Sequence, residues 1–156
     1  MHLAGKHILD AAPSRVWAML MDTDTLAKLI PGISRLEKTG ENSYRSILDI
    51  RLGPVNSSFT GQLNLENIKE PESFTLKVQQ NSKIGNANAN ITINLTPVDF
   101  KQTGIVFEGD ARLSGLIASM GERVLSGVSN TLVQVFFKNM EKELANTGTV
   151  QPKHSE

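Results

Sequence analysis

Few side chains in this sequence could do chemistry, and their types and spacing exclude most catalytic schemes. There are three histidines, no cysteine, and 16 acidic against 16 basic residues in 156. Lack of cysteine removes disulfides, thiolate nucleophiles and cysteine metal sites, and fits a cytoplasmic protein. A metal centre needs several converging imidazoles or carboxylates, and two of the histidines, His2 and His154, lie near the ends of the chain. His7 alone is expected to face inward. With no acidic partner in view, it reads as a satisfied core residue rather than a base. Asp22 and Asp24 look like the paired carboxylates of acid–base catalysis, but helix capping explains them better. Glu108, Asp110 and Arg112 alternate along one face and read as a solvent-side charge ladder. No serine sits in a strand–turn–helix elbow. The sequence therefore predicts no catalytic residue and no metal.

The elements that would position any site are easier to read. Met120, Val124, Val128, Leu132, Phe136, Met140 and Leu144 recur every four residues, and Leu125, Val135 and Phe137 widen that row into a stripe. One long helix from Ser119 to about Leu144 is expected, lying on a surface with one side buried. Ser119 and Glu122 have the spacing of a capping box. Near the start, Leu3 to Asp10 reads as a strand with Leu3, Gly5, His7 and Leu9 on one face. Pro13 suits the first position of a short helix carrying Val16, Trp17 and Leu20. Trp17 reads as packing that helix onto the sheet more readily than as a pocket wall. Asp22 can cap a second short helix ending before Pro31-Gly32.

From Ile33 to Leu113 the apolar period changes to two. Strands are expected near 33–39, 42–52, 55–68, 73–82, 85–96 and 103–114, joined by Gly53-Pro54, Glu70-Pro71 and similar turns. Short joints make an antiparallel meander of about seven strands, strongly curled by twist. The fold class expected is α+β: a curved seven-stranded antiparallel sheet wrapped on a long C-terminal helix. Residues 1–146 should form one domain, and 147–156 a polar, disordered tail. The balanced charge gives no field for nucleic acid and supports at most peripheral membrane contact.

Inward positions on neighbouring strands are small: Gly61, Gly85, Ala87, Ala89, Gly109 and Ala111. Gly115, Ala118, Gly121 and Gly127 make the facing helix end lean as well. Interiors pack to crystal-like density, so two thin walls predict an apolar cavity under the first half of the helix. The competing reading is that these residues mark bends in a curved sheet, with Phe59, Phe74 and Phe107 filling the gap. Leu29, Ile30, Leu52 and Val55, beside the two Pro/Gly turns, would line a greasy mouth.

The element order, with Ala12-Pro13 followed by Val16-Trp17, resembles the helix-grip (START-like, SRPBCC) superfamily. More closely, the chain is similar to the CoxG-like family, named for the G component of carbon monoxide dehydrogenase. The matching pieces are Gly5, Asp22, Leu26, Ile30-Pro31-Gly32, Gly53-Pro54-Val55, Phe59-Thr60-Gly61, Gly85, Gly115-Leu116-Ile117, Gly121 and Phe136-Phe137. The resemblance implies a deep hydrophobic cavity between sheet and helix. It also implies an accessory role around a molybdenum-containing carbon monoxide dehydrogenase or related hydroxylase: maturation, membrane recruitment, or delivery of a lipophilic quinone.

The function expected is thus non-catalytic binding of a lipophilic, quinone- or lipid-like molecule, in the cytoplasm or transiently at the inner face of the membrane. Leu29, Ile30, Phe59, Leu63, Val78, Phe107, Leu116, Met120 and Val124 would supply apolar contact, and Gly61, Ala87, Ala89 and Ala111 room. The alternatives are an assembly or membrane-recruitment factor acting through a protein surface, or an enzyme on a hydrophobic substrate. The last gains weight if His7 meets a carboxylate.

Overall fold

The computed structural model describes residues 1–150, with backbone alone for the last four. The elements run β1 (His2–Leu9), α1 (Pro13–Met21), α2 (Thr23–Leu29), β2 (Ile33–Gly40), β3 (Ser43–Leu52), β4 (Val55–Lys69), β5 (Ser73–Ser82), β6 (Gly85–Asp99), β7 (Gln102–Ser114), a 3₁₀ turn (Leu116–Met120) and α3 (Glu122–Val150). The strands make one antiparallel sheet in the order β1-β7-β6-β5-β4-β3-β2. Hairpins build it from β2 to β7, and α1 and α2 carry the chain across from β1, which closes on β7. Helix α3 runs four residues into the expected tail, and 151–156 lie outside the described residues.

The two short helices form for the reasons their sequence gives. Pro13 opens α1, whose buried side is Val16, Trp17, Met19 and Leu20. Asp22 caps α2: its carboxylate accepts from the Thr25 hydroxyl at 2.6 Å and from the Thr25 backbone N–H at 3.0 Å. Those two bonds, the hydroxyl first, hold the Asp22 carboxyl below its ordinary value. Asp24 lies in the first turn of α2, where its charge complements the helix dipole.

Two expectations about the long helix need correction. Ser119 falls in the 3₁₀ turn and its hydroxyl donates to the Leu116 carbonyl at 2.6 Å, so it does not form the box with Glu122. The chain breaks direction at Gly121, φ 91°, and α3 begins one residue later. The every-four row is also too simple. A helix turns about 100° per residue, so such a row drifts about 40° per step and winds round the helix. Val124, at the start of the row, is 39% exposed, whereas Leu125, Phe137, Met140 and Leu144 are buried.

The core forms two clusters. The first joins α1, α2 and the second half of α3 to the sheet through Leu9, Val16, Trp17, Leu20, Leu29, Tyr44, Leu63, Phe74, Ile105, Phe137, Met140 and Leu144. Trp17 meets Phe74 edge-on at 5.6 Å, so it packs the short helix on the sheet. The second lies under the 3₁₀ turn and the first half of α3: Ile50, Val55, Phe59, Ile117 and Leu125, flanked by Leu48, Leu113, Met120, Val128 and Leu132.

Candidate functional site

The inner face of the sheet is covered unevenly. On β3, β4 and β5 the inward Tyr44, Ser46, Phe59, Leu63, Leu65, Phe74 and Gln80 are buried, with Leu48, Gly61, Leu76 and Val78 partly exposed between them. On β6 and β7 the inward Ala87, Ala89, Ile91, Ile93, Phe107, Gly109, Ala111 and Leu113 remain partly exposed, and so do Leu3, Gly5 and His7 on β1.

A groove of about 360 Å³ runs between β1 and α3, lined by Gly5, Phe107, Val133 and Phe137 and, at more than half of its positions, by polar side chains that include Lys6, His7, Gln134, Lys138 and Glu141. A smaller hollow of about 80 Å³ continues it toward Met1, Leu3, Ser126 and Ser129, sharing Phe107 and Val133. Phe107 lies across Gly5, where an added Cβ would be 2.5 Å from the ring, and its centroid is 6.1 Å from that of Phe137. One polar contact spans the groove: His7 Nε2 is 2.9 Å from Glu141 Oε2, with its ring stacked on Phe137 at 4.5 Å. Their side chains are 33% and 55% exposed, so the pair sits at the rim in contact with water. The acidic partner of His7 comes from 134 positions away. The sequence puts Glu141 on the polar side of the helix, and only the rotational phase of α3 shows that it reaches β1.

A second polar feature lies deeper. Register places Ser46, Gly61, Gln80 and Ala87 side by side on β3, β4, β5 and β6, with Leu113 following on β7. Gln80 is 3% exposed and Ser46 wholly buried, and Gln80 Nε2 donates to Ser46 Oγ at 3.0 Å. The two residues stand two strand spacings apart, roughly 9–10 Å, so the glutamine reaches over Gly61. A side chain at 61 would also collide with backbone, its Cβ 1.8 Å from the Gln79 carbonyl oxygen. Gly109 is likewise pressed on β6, with a Cβ 2.0 Å from the Asn90 oxygen. These two glycines mark tight strand approach in a curved sheet and not spare volume; the alanines leave the room.

The residues expected to line a site are distributed as follows. Phe107, Ala87, Ala89 and Ala111 lie on the open inner face. Leu63 is buried in the first cluster with Val78 packed against it, and Phe59 is buried in the second with Met120 against it. Leu29 is fully buried in the first cluster and Ile30 packs against it, while Val55 is buried in the second. The supposed mouth is therefore divided between two packed regions. Leu116, 62% exposed, and Val124 face outward, as do Ala118 and Gly127, and none of them lines either groove. His7, expected to face inward as a core residue, joins the site at its rim; Val133, Phe137 and Glu141 join it unforeseen, as does Gln80, although continuing the alternation Phe74, Leu76, Val78 by one step places it inward.

Glu108 and Asp110 are on the outer face, each 3.2 Å from the His2 ring, so the charge ladder there includes a histidine. Among the described residues no three His, Cys, Asp or Glu side chains converge as a metal site. Among them, too, no helix is long and apolar enough to cross a membrane.

No curated protein matches the sequence. A solved structure of a conserved protein from Geobacillus kaustophilus is similar at 32% identity and TM-score 0.91, over 94% of this chain and 97% of that one. A START superfamily protein from Mycobacterium smegmatis matches at 10% identity and TM-score 0.72, over 94% and 98% of the two chains. The Zhui aromatase/cyclase from Streptomyces sp. R1128 matches at 16% identity and TM-score 0.63, over 91% and 94%. At such identities the last two show the fold alone, the START-like helix-grip. A family model for CoxG, the G component of carbon monoxide dehydrogenase, matches residues 5–145. Together with the shared sheet-and-helix architecture, that match over nearly the whole length means that the chain belongs to the CoxG family.

Proposed function

We propose that this protein binds a lipophilic small molecule between the open half of its sheet and α3, and carries it rather than transforming it. The observation that supports this reading is the partly exposed apolar inner face of β6 and β7, which meets at Phe107 a groove floored by Phe107, Val133 and Phe137. Its volume lies within the range of small-molecule pockets, and its aromatic floor is bordered by polar side chains that could orient a guest. Burying apolar ligand area contributes on the order of 25 cal/mol per Å² before association costs. The ligand class is quinone-, isoprenoid- or acyl-like. The family name points to a molybdenum-containing carbon monoxide dehydrogenase or a related hydroxylase as the recipient. Such a carrier works in the cytoplasm and meets the inner face of the membrane transiently, where molecules of this kind reside.

Native mass spectrometry of the purified protein, followed by solvent extraction, tests the reading. A co-purifying apolar molecule lost from a folded Ala89→Phe or Ala111→Phe variant is the expected result. Undiminished binding in either folded variant moves the site elsewhere. A surface-acting assembly factor predicts instead that the same variants still capture the dehydrogenase.

One observation favours a second reading, that of an enzyme on a hydrophobic substrate: the His7–Glu141 pair lines the groove at hydrogen-bonding distance. Incubating the extracted molecule with the protein separates the two. A carrier returns it unchanged, whereas an enzyme yields a product whose formation stops with His7→Gln.

A further inference from the structure

Among the described residues, one buried side-chain polar atom has no hydrogen-bond partner, and it is Gln80 Oε1. Its amide nitrogen is engaged by Ser46, so the oxygen is left as an acceptor in apolar surroundings. Interiors rarely tolerate such an atom, because it has given up its bond to water and received nothing in exchange. The surroundings give it a direction. Ser46, Gly61, Gln80 and Ala87 form one row across four strands. Leu63 and Val78, one row away, belong to the first apolar cluster, and Phe59 and Leu48, on the other side, to the second. The row is therefore a polar step between two greasy regions. Gly61 puts no side chain over it, and Ala87, partly exposed, is the small residue between Gln80 and the open half of the sheet.

We infer that Gln80, held by Ser46, is the polar anchor of the binding site, and that the ligand is a lipophilic molecule bearing a hydrogen-bond donor, such as a hydroxyl, beside its apolar body. This deepens the carrier reading and rests on it. The apolar part lies over Ala87, Ala89 and Ala111, and the donor reaches Gln80 Oε1 across Ala87. Ser46 positions the amide: its oxygen accepts from Nε2 and so turns Oε1 toward the incoming donor. A ligand offering only acceptors finds no complement there, so the site distinguishes a hydroxyl compound from its ether or ketone counterpart and, within the proposed class, selects an alcohol or quinol over an oxidised quinone.

The test uses three probes with one twelve-carbon chain: 1-dodecanol, its methyl ether and 2-dodecanone. Binding to the full chain is measured by thermal shift and native mass spectrometry. The alcohol is expected to bind about tenfold tighter than the ether or the ketone, the effect of one net hydrogen bond. In Gln80→Leu all three should bind alike, while Ser46→Ala should keep part of the preference. Equal binding of alcohol and ether to the unaltered protein overturns the inference while leaving the carrier reading intact. So does a preference that survives in Gln80→Leu. A tighter ketone means that the amide is turned the other way, with its N–H groups free, and overturns the donor requirement. Failure of all three probes to bind removes the carrier reading and this inference together. The alcohol-to-ether ratio of the unaltered protein decides the matter even if Gln80→Leu does not fold.

Discussion

The two halves of the sheet are built from the same hairpins yet end in different states. Strands β3 to β5 carry Tyr44, Phe59, Leu63, Leu65 and Phe74 inward, and all five are buried. Strands β6 and β7 offer Ala87, Ala89, Gly109 and Ala111 at equivalent positions, and these stay partly exposed. The same long helix covers both. The difference lies in side-chain reach: large residues on one half meet the helix and the short helices, and small ones on the other do not. The contrast between these positions is one of side-chain size rather than of a missing element.

Truncating the closed half should give the largest effect. Phe74→Ala removes the ring against which Trp17 packs and should cost about 3–5 kcal/mol, read by denaturant unfolding. Ser46→Ala strands the Gln80 amide in a buried site and should cost about 1–3 kcal/mol. The double variant Ser46→Ala/Gln80→Leu, with both polar partners gone, should recover most of that loss. Asp22→Ala should cost about 1 kcal/mol at neutral pH through loss of the α2 cap. Because folding lowers the Asp22 pKa, the stability it contributes is present above the ordinary aspartate range and is lost as pH falls through the lowered value. The gap between Asp22→Ala and the unaltered protein should therefore close below about pH 4. The smallest effect sharpens the comparison most. Ala89→Phe on the open half should shift the unfolding midpoint little, whereas overpacking a filled interior costs about 1–3 kcal/mol. A loss of that size would mean that the space over β6 is already occupied.

The strands were legible because each side chain alternates between oil and water, and because Gly53-Pro54 and Glu70-Pro71 punctuate the alternation. The Asp22 cap was legible because its partner is three residues away. What failed to show in the sequence depends on distances between elements. The Gly61 and Gly109 collisions belong to neighbouring strands, and a glycine that makes room is spelled the same as one that lacks it. His7 and Glu141 meet only through the phase of α3, which an every-four row misjudges. The Ser46–Gln80 bond crosses an intervening strand, so no local pattern announces it.

The attachment of α3 differs at its two ends. Toward the C-terminus, Arg15 donates to the Leu144 carbonyl, Asn139 to the Leu29 carbonyl, and His7 meets Glu141, at 2.9, 3.0 and 2.9 Å. At the other end Gly121, with φ of 91° and nothing within 4 Å of where its Cβ would be, turns the chain sharply into α3. There the helix is held by packing instead, with Leu125 buried among Ile50, Val55, Phe59 and Ile117. The helix is thus hydrogen-bonded in place at one end and packed in place at the other, so removing a polar group loosens the first and trimming an apolar side chain the second.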